Sequence, residues 1–310
     1  MIYADNAATT CMSHTAVEAM LPYMEKYYGN PSSLYSFGQD AKEALEGARQ
    51  DIAACLGCDP REITFTSGGS EADNQAIRSA AHAGERKGKK HIISTAFEHH
   101  AVLNTLKALE KEGFEVQLLD VHANGIVTAE QVRDAIREDT CLVTIMYANN
   151  EIGTIQPIAE IGAICKEKKV VFHTDAVQAV GHLPIHVKEQ QIDMLSLSAH
   201  KFHGPKGIGV LYTRRGLPLE SVIYGGEQER GRRAGTENIA AICGMAAALK
   251  EACASMEANA EHLRKLRDRL ITGLDKIPYG ELNGDRTNRL PGNVNFCFEG
   301  IEGESLLLLL

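Results

Sequence analysis

A lysine stands at the end of an apolar, strand-like run, where a side chain of this type needs an explanation. Lys201 follows the apolar stretch 192–197 and precedes a turn rich in glycine and proline at 204–209. A lysine that is withdrawn from water has a lowered pKa and can form a Schiff base with a carbonyl compound. The alternative is a solvated lysine in a surface turn, which is our interpretation of Lys206 in the same stretch.

An aspartate and several histidines are further candidates for chemistry. Asp175 ends an apolar strand, and a buried carboxylate there needs a partner such as a protonated pyridine nitrogen. The alternative is that Asp175 caps the helix that follows. The spacing of the nearby histidines matches no metal-binding motif. We therefore expect no metal site at His99, His100, His200 or His203.

Two glycine-rich turns could bind anions. Ser67–Ser70 joins a strand predicted over 63–66 to a helix predicted over 71–83. Free backbone N–H groups converge at such a junction and favour phosphate binding. The alternative is an ordinary turn between a strand and a helix, which has the same sequence pattern. The loop 225–238 places arginines near Thr236 at a helix start. It is either a solvated loop or a site for an anionic ligand or a partner subunit.

Strands and helices alternate along the first two-thirds of the chain, with strands predicted over 63–66, 91–95, 115–120, 141–147 and 170–174. This alternation predicts an α/β fold with a mainly parallel central sheet covered by helices. Ligands of such folds gather at the carboxyl ends of the strands. The polar residues expected at that edge are Ser70, His99, Asn150, Asp175, Gln178, Ser198, His200 and Lys201.

Composition restricts the class of protein. A formal charge of −9 over 310 residues argues against nucleic acid as a direct partner. The first residues lack the pattern of a signal peptide, and we find no apolar run that approaches a membrane-spanning length. Eight scattered cysteines, including the single pair Cys55 and Cys58, are typical of a reducing compartment. We expect a cytoplasmic protein without a membrane partner.

Eight motifs, in the same order along the chain, carry a family resemblance: Asp5-Asn-Ala-Ala-Thr-Thr10, Phe65-Thr-Ser-Gly-Gly-Ser-Glu71, Glu98-His99, Asn149-Asn-Glu-Ile-Gly153, Asp175-Ala-Val-Gln178, Ser198-Ala-His-Lys201, Gly204-Pro-Lys-Gly207 and Arg233-Ala-Gly-Thr-Glu-Asn238. The sequence resembles the cysteine desulfurases of the NifS/IscS type, which are pyridoxal 5'-phosphate (PLP) enzymes of the class V aminotransferase group. The resemblance implies a fold-type I PLP-dependent transferase. Its large PLP-binding domain would span 15–257, and 1–14 with 258–310 would form part of a smaller α/β domain.

The resemblance also implies a role for each site residue. Lys201 would hold PLP as a Schiff base and shuttle a proton, and His99 would stack on the ring and take part in proton transfer. Asp175 would pair with the pyridinium nitrogen, and Gln178 would hydrogen-bond the ring hydroxyl. The expected phosphate ligands are Gly69, Ser70, Ser198, His200 and, from a neighbouring subunit, Thr236. Asn150 would lie at the cofactor and, with Asn6, beside the substrate carboxylate.

The implied activity is conversion of L-cysteine to L-alanine by a homodimer. The sulfur would pass as a persulfide to an acceptor such as an iron–sulfur scaffold protein, or serve tRNA thiolation. Three alternatives stay open from the sequence: a selenocysteine lyase, another class V PLP enzyme, and a PLP-binding dimer partner without turnover.

One departure concerns sulfur transfer. The resemblance places the family's sulfur-accepting cysteine and carboxylate-binding arginine in a region that would be expected beyond Leu310, and none of the cysteines present lies in a matching motif. We expect the sequence to be a shortened record of a longer chain. Taken literally, it would bind PLP without releasing sulfur by the family's mechanism. We expect Cys297 to be buried by its alternating strand rather than to replace the missing nucleophile.

Overall fold

A seven-stranded sheet organises the structure, a computed structural model that describes residues 2–309. Its order is β1-β7-β6-β5-β4-β2-β3. The strands are β1 (Ile63–Thr66), β2 (His91–Thr95), β3 (Glu115–Leu119), β4 (Thr140–Thr144), β5 (Val171–Asp175), β6 (Met194–Ser198) and β7 (Gly209–Thr213). β3, β2, β4, β5 and β6 are parallel, whereas β7 runs antiparallel to both β6 and β1. The α/β fold with a mainly parallel sheet is confirmed.

Helices cover both faces of this sheet. The helices of the described residues are α1 (His14–Glu25), α2 (Ser36–Leu56), α3 (Gly69–Glu85), α4 (His100–Lys111), α5 (Ala129–Ala135), α6 (Ile158–Lys168), α7 (Ile239–Leu274) and α8 (Gly303–Leu309), of which α8 has no buried residue. Neighbouring residues of one strand point to opposite faces. Ile92 and Leu142 pack in a core with α3 and α4, whereas Ile93 and Val143 pack in a larger core with α2, α5, α6 and α7. Burial on both faces explains why these strands read as continuous apolar runs.

Helix α7 is long and apolar enough, by length and composition, to cross a membrane. Our expectation that no apolar run approaches that length is therefore wrong. Ile242, Met245 and Leu249 of this helix are buried in the same core as Ala16 of α1 and Ile52 of α2. Packing against these two helices accounts for the apolar character of its first half.

The N-terminal segment lies against the turn that follows β6. The Thr10 N–H donates to the His200 carbonyl (2.9 Å), and the Ser13 N–H donates to the His203 carbonyl (2.9 Å). α7 continues without a break through residue 257, where the sequence places a domain boundary. That division into domains stays a prediction.

Strands β8 (Gly280–Leu282) and β9 (Phe296–Phe298) pair as a separate two-stranded antiparallel sheet. Cys297 in β9 is exposed, so the expectation that its strand buries it is wrong. Successive strand residues point to opposite faces, so Phe296 and Phe298 share the partly covered face and Cys297 lies on the open one.

Candidate active site

Side chains at the carboxyl ends of the strands line one cavity of about 600 Å³. All eight polar residues expected at this edge contribute to it, and Gly69 lies beside them. The cavity residues among those predicted are Gly69, Ser70, His99, Asn150, Asp175, Gln178, Ser198, His200 and Lys201. Of the predicted site residues, Asn6 and Thr236 alone do not line it.

Lys201 points into this cavity from a short turn, Ala199–Lys201, that directly follows β6. Its ammonium donates to the carbonyl of Ala8 at 2.9 Å and also to the carbonyl of Ala7. Burial lowers the pKa of Lys201, and the nearby charge of Asp175 opposes this effect. The lowered pKa increases the fraction of free amine, which is the form that attacks a carbonyl carbon.

Asp175 caps a turn and also borders the cavity. The residue is 5% exposed, and its Oδ1 accepts the Val177 N–H at 2.9 Å, so it caps the turn after β5. It also lines the cavity. Burial raises the pKa of Asp175, and the Val177 N–H, His99 and Lys201 act in the opposite direction. A cationic group in the cavity would therefore find its counter-charge here.

The first turn of α3 forms an anion cradle at one end of the cavity. Gly69 and Ser70 begin this 17-residue helix, and its first N–H groups have no partner within the helix. Gly68 has φ of 151°, and a Cβ added to Gly69 would lie 2.6 Å from Val177 Cγ2. Glycine is therefore needed at these positions for the backbone conformation at residue 68 and for the close approach of Val177 at residue 69.

Two histidines flank the lysine with defined hydrogen bonds. His99 Nδ1 accepts the Ala101 N–H at 3.1 Å, so the neutral ring carries its proton on Nε2. His200 Nδ1 lies 3.1 Å from Thr9 Oγ1. Burial, followed by the charge of Lys201, lowers the pKa of His200. His200 is therefore a neutral hydrogen-bonding group at neutral pH.

The amide side chains of the site are held by close partners. Gln178 Nε2 donates to the carbonyl of Ala7 at 2.9 Å, and Asn150 Nδ2 donates to Glu151 Oε1 at 2.6 Å. Asn6 is exposed at the start of the turn at residues 6–8 and does not line the cavity, although its neighbours Asp5 and Ala7 do. The substrate role predicted for Asn6 has no support from its position here.

Thr236 lies outside the cavity and is exposed. It lines a separate depression that includes Ser67 and Gly207. Its loop is tied to α3 by an ion pair between Arg233 Nε and Glu71 Oε1 at 3.0 Å. Thr236 does not line the cavity of its own chain, and its action on a neighbouring subunit stays a prediction.

Several cavity residues were missed by sequence reasoning: Asp5, Asp73, Met146, Glu151 and Val177. Asp73 is the most unusual, because it is a carboxyl group on the buried face of α3. A signal was present, since it shares the helical spacing of the apolar residues Ala76, Ile77 and Ala80. Within residues 2–309, one group of potential metal ligands clusters within 4.8 Å, formed by Asp73, His99 and Asp175. The absence of a metal site stays a prediction.

These residues fit PLP in each of its functional parts. The α3 cradle suits the phosphate, the buried carboxyl of Asp175 suits a protonated ring nitrogen, and Lys201 suits the aldehyde. The three groups border one cavity, so a single molecule can reach all of them.

Comparisons with known proteins agree with this fit. The model of the family "Aminotransferase class-V" matches residues 2–310. The chain is 56% identical over 309 residues to the cysteine desulfurase IscS of Methanosarcina thermophila, covering all of this chain and 76% of that protein. It is 53% identical over 310 residues to the cysteine desulfurase IscS of Clostridium botulinum strain Hall, covering 99% of this chain and 78% of that protein.

Solved structures give the same result. A NifS-like protein superposes with a TM-score of 0.97 and 40% identity, over 100% of this chain and 85% of the other. A structure described as SspA in complex with cysteine superposes with a TM-score of 0.87 and 40% identity, over 96% of this chain and 84% of the other. The chain therefore belongs to the class V aminotransferase family and, within it, to the PLP-dependent cysteine desulfurases of the NifS/IscS type.

Proposed function

We propose that the protein converts L-cysteine to L-alanine and transfers the sulfur to a thiol. The carbon–sulfur bond of cysteine breaks, a sulfur–sulfur bond forms on the acceptor thiol, and a proton is added to the carbon that carried the sulfur. The observation that carries this proposal is the single cavity shared by Lys201, Asp175, His99 and the α3 cradle. The relatives named as cysteine desulfurases and the neighbour in complex with cysteine support the choice of substrate.

The cofactor would be held by residues of α3 and of the segments at the carboxyl ends of β5 and β6. Gly69, Ser70, Ser198 and His200 would hold its phosphate, Asp175 its ring nitrogen, and Gln178 its ring hydroxyl. When bound, PLP supplies an electron sink for the carbon that bears the substrate amino group. Asp175 supports that sink because a buried carboxylate favours the protonated ring nitrogen.

Proton transfer falls to two side chains. Lys201 has a lowered pKa, so its free amine can accept a proton from the substrate carbon and return it. His99 carries a proton on Nε2 in its neutral form, because Nδ1 accepts the Ala101 N–H. His99 can donate that proton where the sulfur leaves. Asn150 borders the same cavity and would hydrogen-bond the substrate carboxylate.

We infer a homodimer in which Thr236 of each subunit completes the phosphate site of the other. The exposed position of Thr236 outside its own cavity supports this arrangement. The eight cysteines are free in the described part of the chain, which supports a reducing compartment such as the cytoplasm. The sulfur acceptor would be a protein thiol, such as that of an iron–sulfur scaffold.

The test measures alanine and sulfide together. The protein is produced to the full length that its cysteine desulfurase relatives have, of which this chain covers 76–78%. The PLP-loaded form is incubated with L-cysteine and an excess of a small reducing thiol, which serves as the sulfur acceptor. We expect equal amounts of alanine and sulfide, and neither from the Lys201→Ala protein. Bound PLP without alanine would overturn the proposed reaction. Alanine from selenocysteine alone would make the protein a selenocysteine lyase.

A further inference from the structure

A second buried carboxyl group, which the proposed reaction does not use, lies beside Asp175. Asp73 is 1% exposed and lines the cavity. Its Oδ1 has no hydrogen-bond partner among residues 2–309. An oxygen of Asp73, an oxygen of Asp175 and a ring nitrogen of His99 lie within 4.8 Å of one another. Two carboxylates this close in a buried site repel strongly, so one of them keeps its proton.

The groups on the sheet side of Asp73 are neutral. His173 Nε2 lies 3.7 Å from Asp73 Oδ1 and 3.1 Å from Ser196 Oγ, and His173 Nδ1 lies 2.8 Å from Thr144 Oγ1. Burial lowers the pKa of His173 to about 3, so its ring carries no charge. A consistent network has the Thr144 hydroxyl donating to Nδ1 and Nε2–H donating to Ser196 Oγ, and Ser196 is in turn a hydrogen-bond partner of the Asp73 carboxyl group, although not of its Oδ1. This network offers hydrogen bonds to Asp73 but no positive charge.

Asp175 is the better of the two for holding a negative charge. It accepts the Val177 N–H at 2.9 Å and has Lys201 and His99 as neighbours that favour its ionised form. For Asp73, burial and then the charge of Asp175 raise the pKa well above its usual range, the hydrogen bond from Ser196 opposes them, and Glu98 raises the pKa further. Glu98 is itself buried, which raises its pKa to about 8. Asp175 therefore ionises first.

We propose that Asp73 is a positioning residue: a protonated carboxylic acid that keeps the single negative charge of the pair on Asp175. The inference rests on the proposed function, since Asp175 is there the partner of the ring nitrogen. A neutral Asp73 fills the space beside Asp175 without attracting the proton on the ring nitrogen of PLP. An ionised Asp73 would instead compete with Asp175 for that proton and would repel it.

Infrared spectroscopy tests the charge of Asp73 directly. The PLP-loaded protein is compared with Asp73→Asn at neutral pH, both in a Glu98→Gln background that removes the other buried acid. We expect the difference spectrum to show that Asp73→Asn has lost the C=O stretch of a protonated carboxylic acid. Loss of carboxylate bands instead would overturn the proposal. If Asp73→Asn fails to fold, the Glu98→Gln protein is labelled with ¹³C-aspartate instead. A C=O band of a protonated acid that shifts on labelling supports the proposal, and the absence of such a band contradicts it.

PLP binding tests whether a neutral side chain at position 73 is sufficient for the cofactor site. Asparagine imitates the neutral acid, so Asp73→Asn should bind PLP within about twofold of wild type from about pH 6 to pH 8. Asp175→Asn should weaken binding by about tenfold or more. An Asp73→Asn protein as weak as Asp175→Asn would contradict the proposal. If Asp175→Asn instead keeps full affinity, the proposed role of Asp175 fails, while the infrared result for Asp73 still stands by itself.

Discussion

A buried ion pair holds the loop that carries Thr236, and breaking it gives a prediction with a defined size. Arg49 of α2 is 2% exposed and Glu229 is 7% exposed. Two hydrogen bonds of 2.8 and 2.7 Å join the guanidinium to both oxygens of the carboxylate. Arg49 also donates to the Ile63 carbonyl at 3.0 Å, and Glu229 Oε2 accepts the Phe65 N–H at 2.9 Å.

The loop needs this support because its backbone is strained. Glu229 and Arg230 have φ of 48° and 61°, a region that costs free energy in residues other than glycine. Arg49→Met would leave the buried Glu229 carboxylate with the Phe65 N–H as its remaining hydrogen-bond donor. Removing one partner of a buried pair costs about 3–5 kcal/mol. Arg49→Met should lower the free energy of unfolding by that amount.

The same arginine provides its own control. Glu46 contacts Arg49 Nε at 3.2 Å but has a side chain that is 41% exposed. Glu46→Gln should therefore cost at most about 1 kcal/mol. Urea unfolding of both variants measures the difference, and PLP affinity reports whether the Thr236 loop is displaced. If Arg49→Met costs no more than Glu46→Gln, the ion pair does not hold the loop and the reasoning is wrong.

Three further predictions concern the site. Burial raises the pKa of Glu98 to about 8, so Glu98 lowers the free energy of unfolding of the wild type as pH rises from the pKa of an unfolded glutamate toward 8. Glu98→Gln should therefore gain about 1.4 kcal/mol of stability per pH unit relative to the wild type between about pH 5 and 8, measured by urea unfolding. A difference that does not change with pH would contradict this. Gly69→Ala should weaken PLP binding by about tenfold, because the added Cβ would lie 2.6 Å from Val177 Cγ2; Gly47→Ala, with no atom within 4 Å, is the control that should not change binding. Heterodimers of Thr236→Ala and Lys201→Ala subunits should regain one intact site, measured as alanine formation, whereas no recovery would mean that Thr236 acts within its own subunit.

Much of the sheet could be predicted from the sequence because its strands are short, apolar and bounded by turns. The predicted bounds of β1 and β2 match the structure, at Ile63–Thr66 and His91–Thr95. Strand β7 (Gly209–Thr213) was not predicted. It follows a glycine turn rather than a helix, and pairs antiparallel with its neighbours, so the alternation of strand and helix gave no signal for it.

The site was predictable to the extent that it follows from parallel strands. Polar residues after β5 and β6, such as Asp175 and Lys201, had to meet at one edge. Asp73 was missed although its spacing with Ala76, Ile77 and Ala80 placed it on the apolar face of the helix, because that spacing does not reveal which groups lie opposite. The Arg49 and Glu229 pair is separated by 180 residues, and no local spacing links two such positions.

The central claim is that Lys201 is the residue that binds PLP covalently. The PLP-loaded protein is reduced with borohydride and digested, and the peptide that carries the reduced cofactor is identified by mass spectrometry. The label is predicted on Lys201, with no labelled peptide from Lys201→Ala. A label on Lys206 or any other lysine would contradict the account.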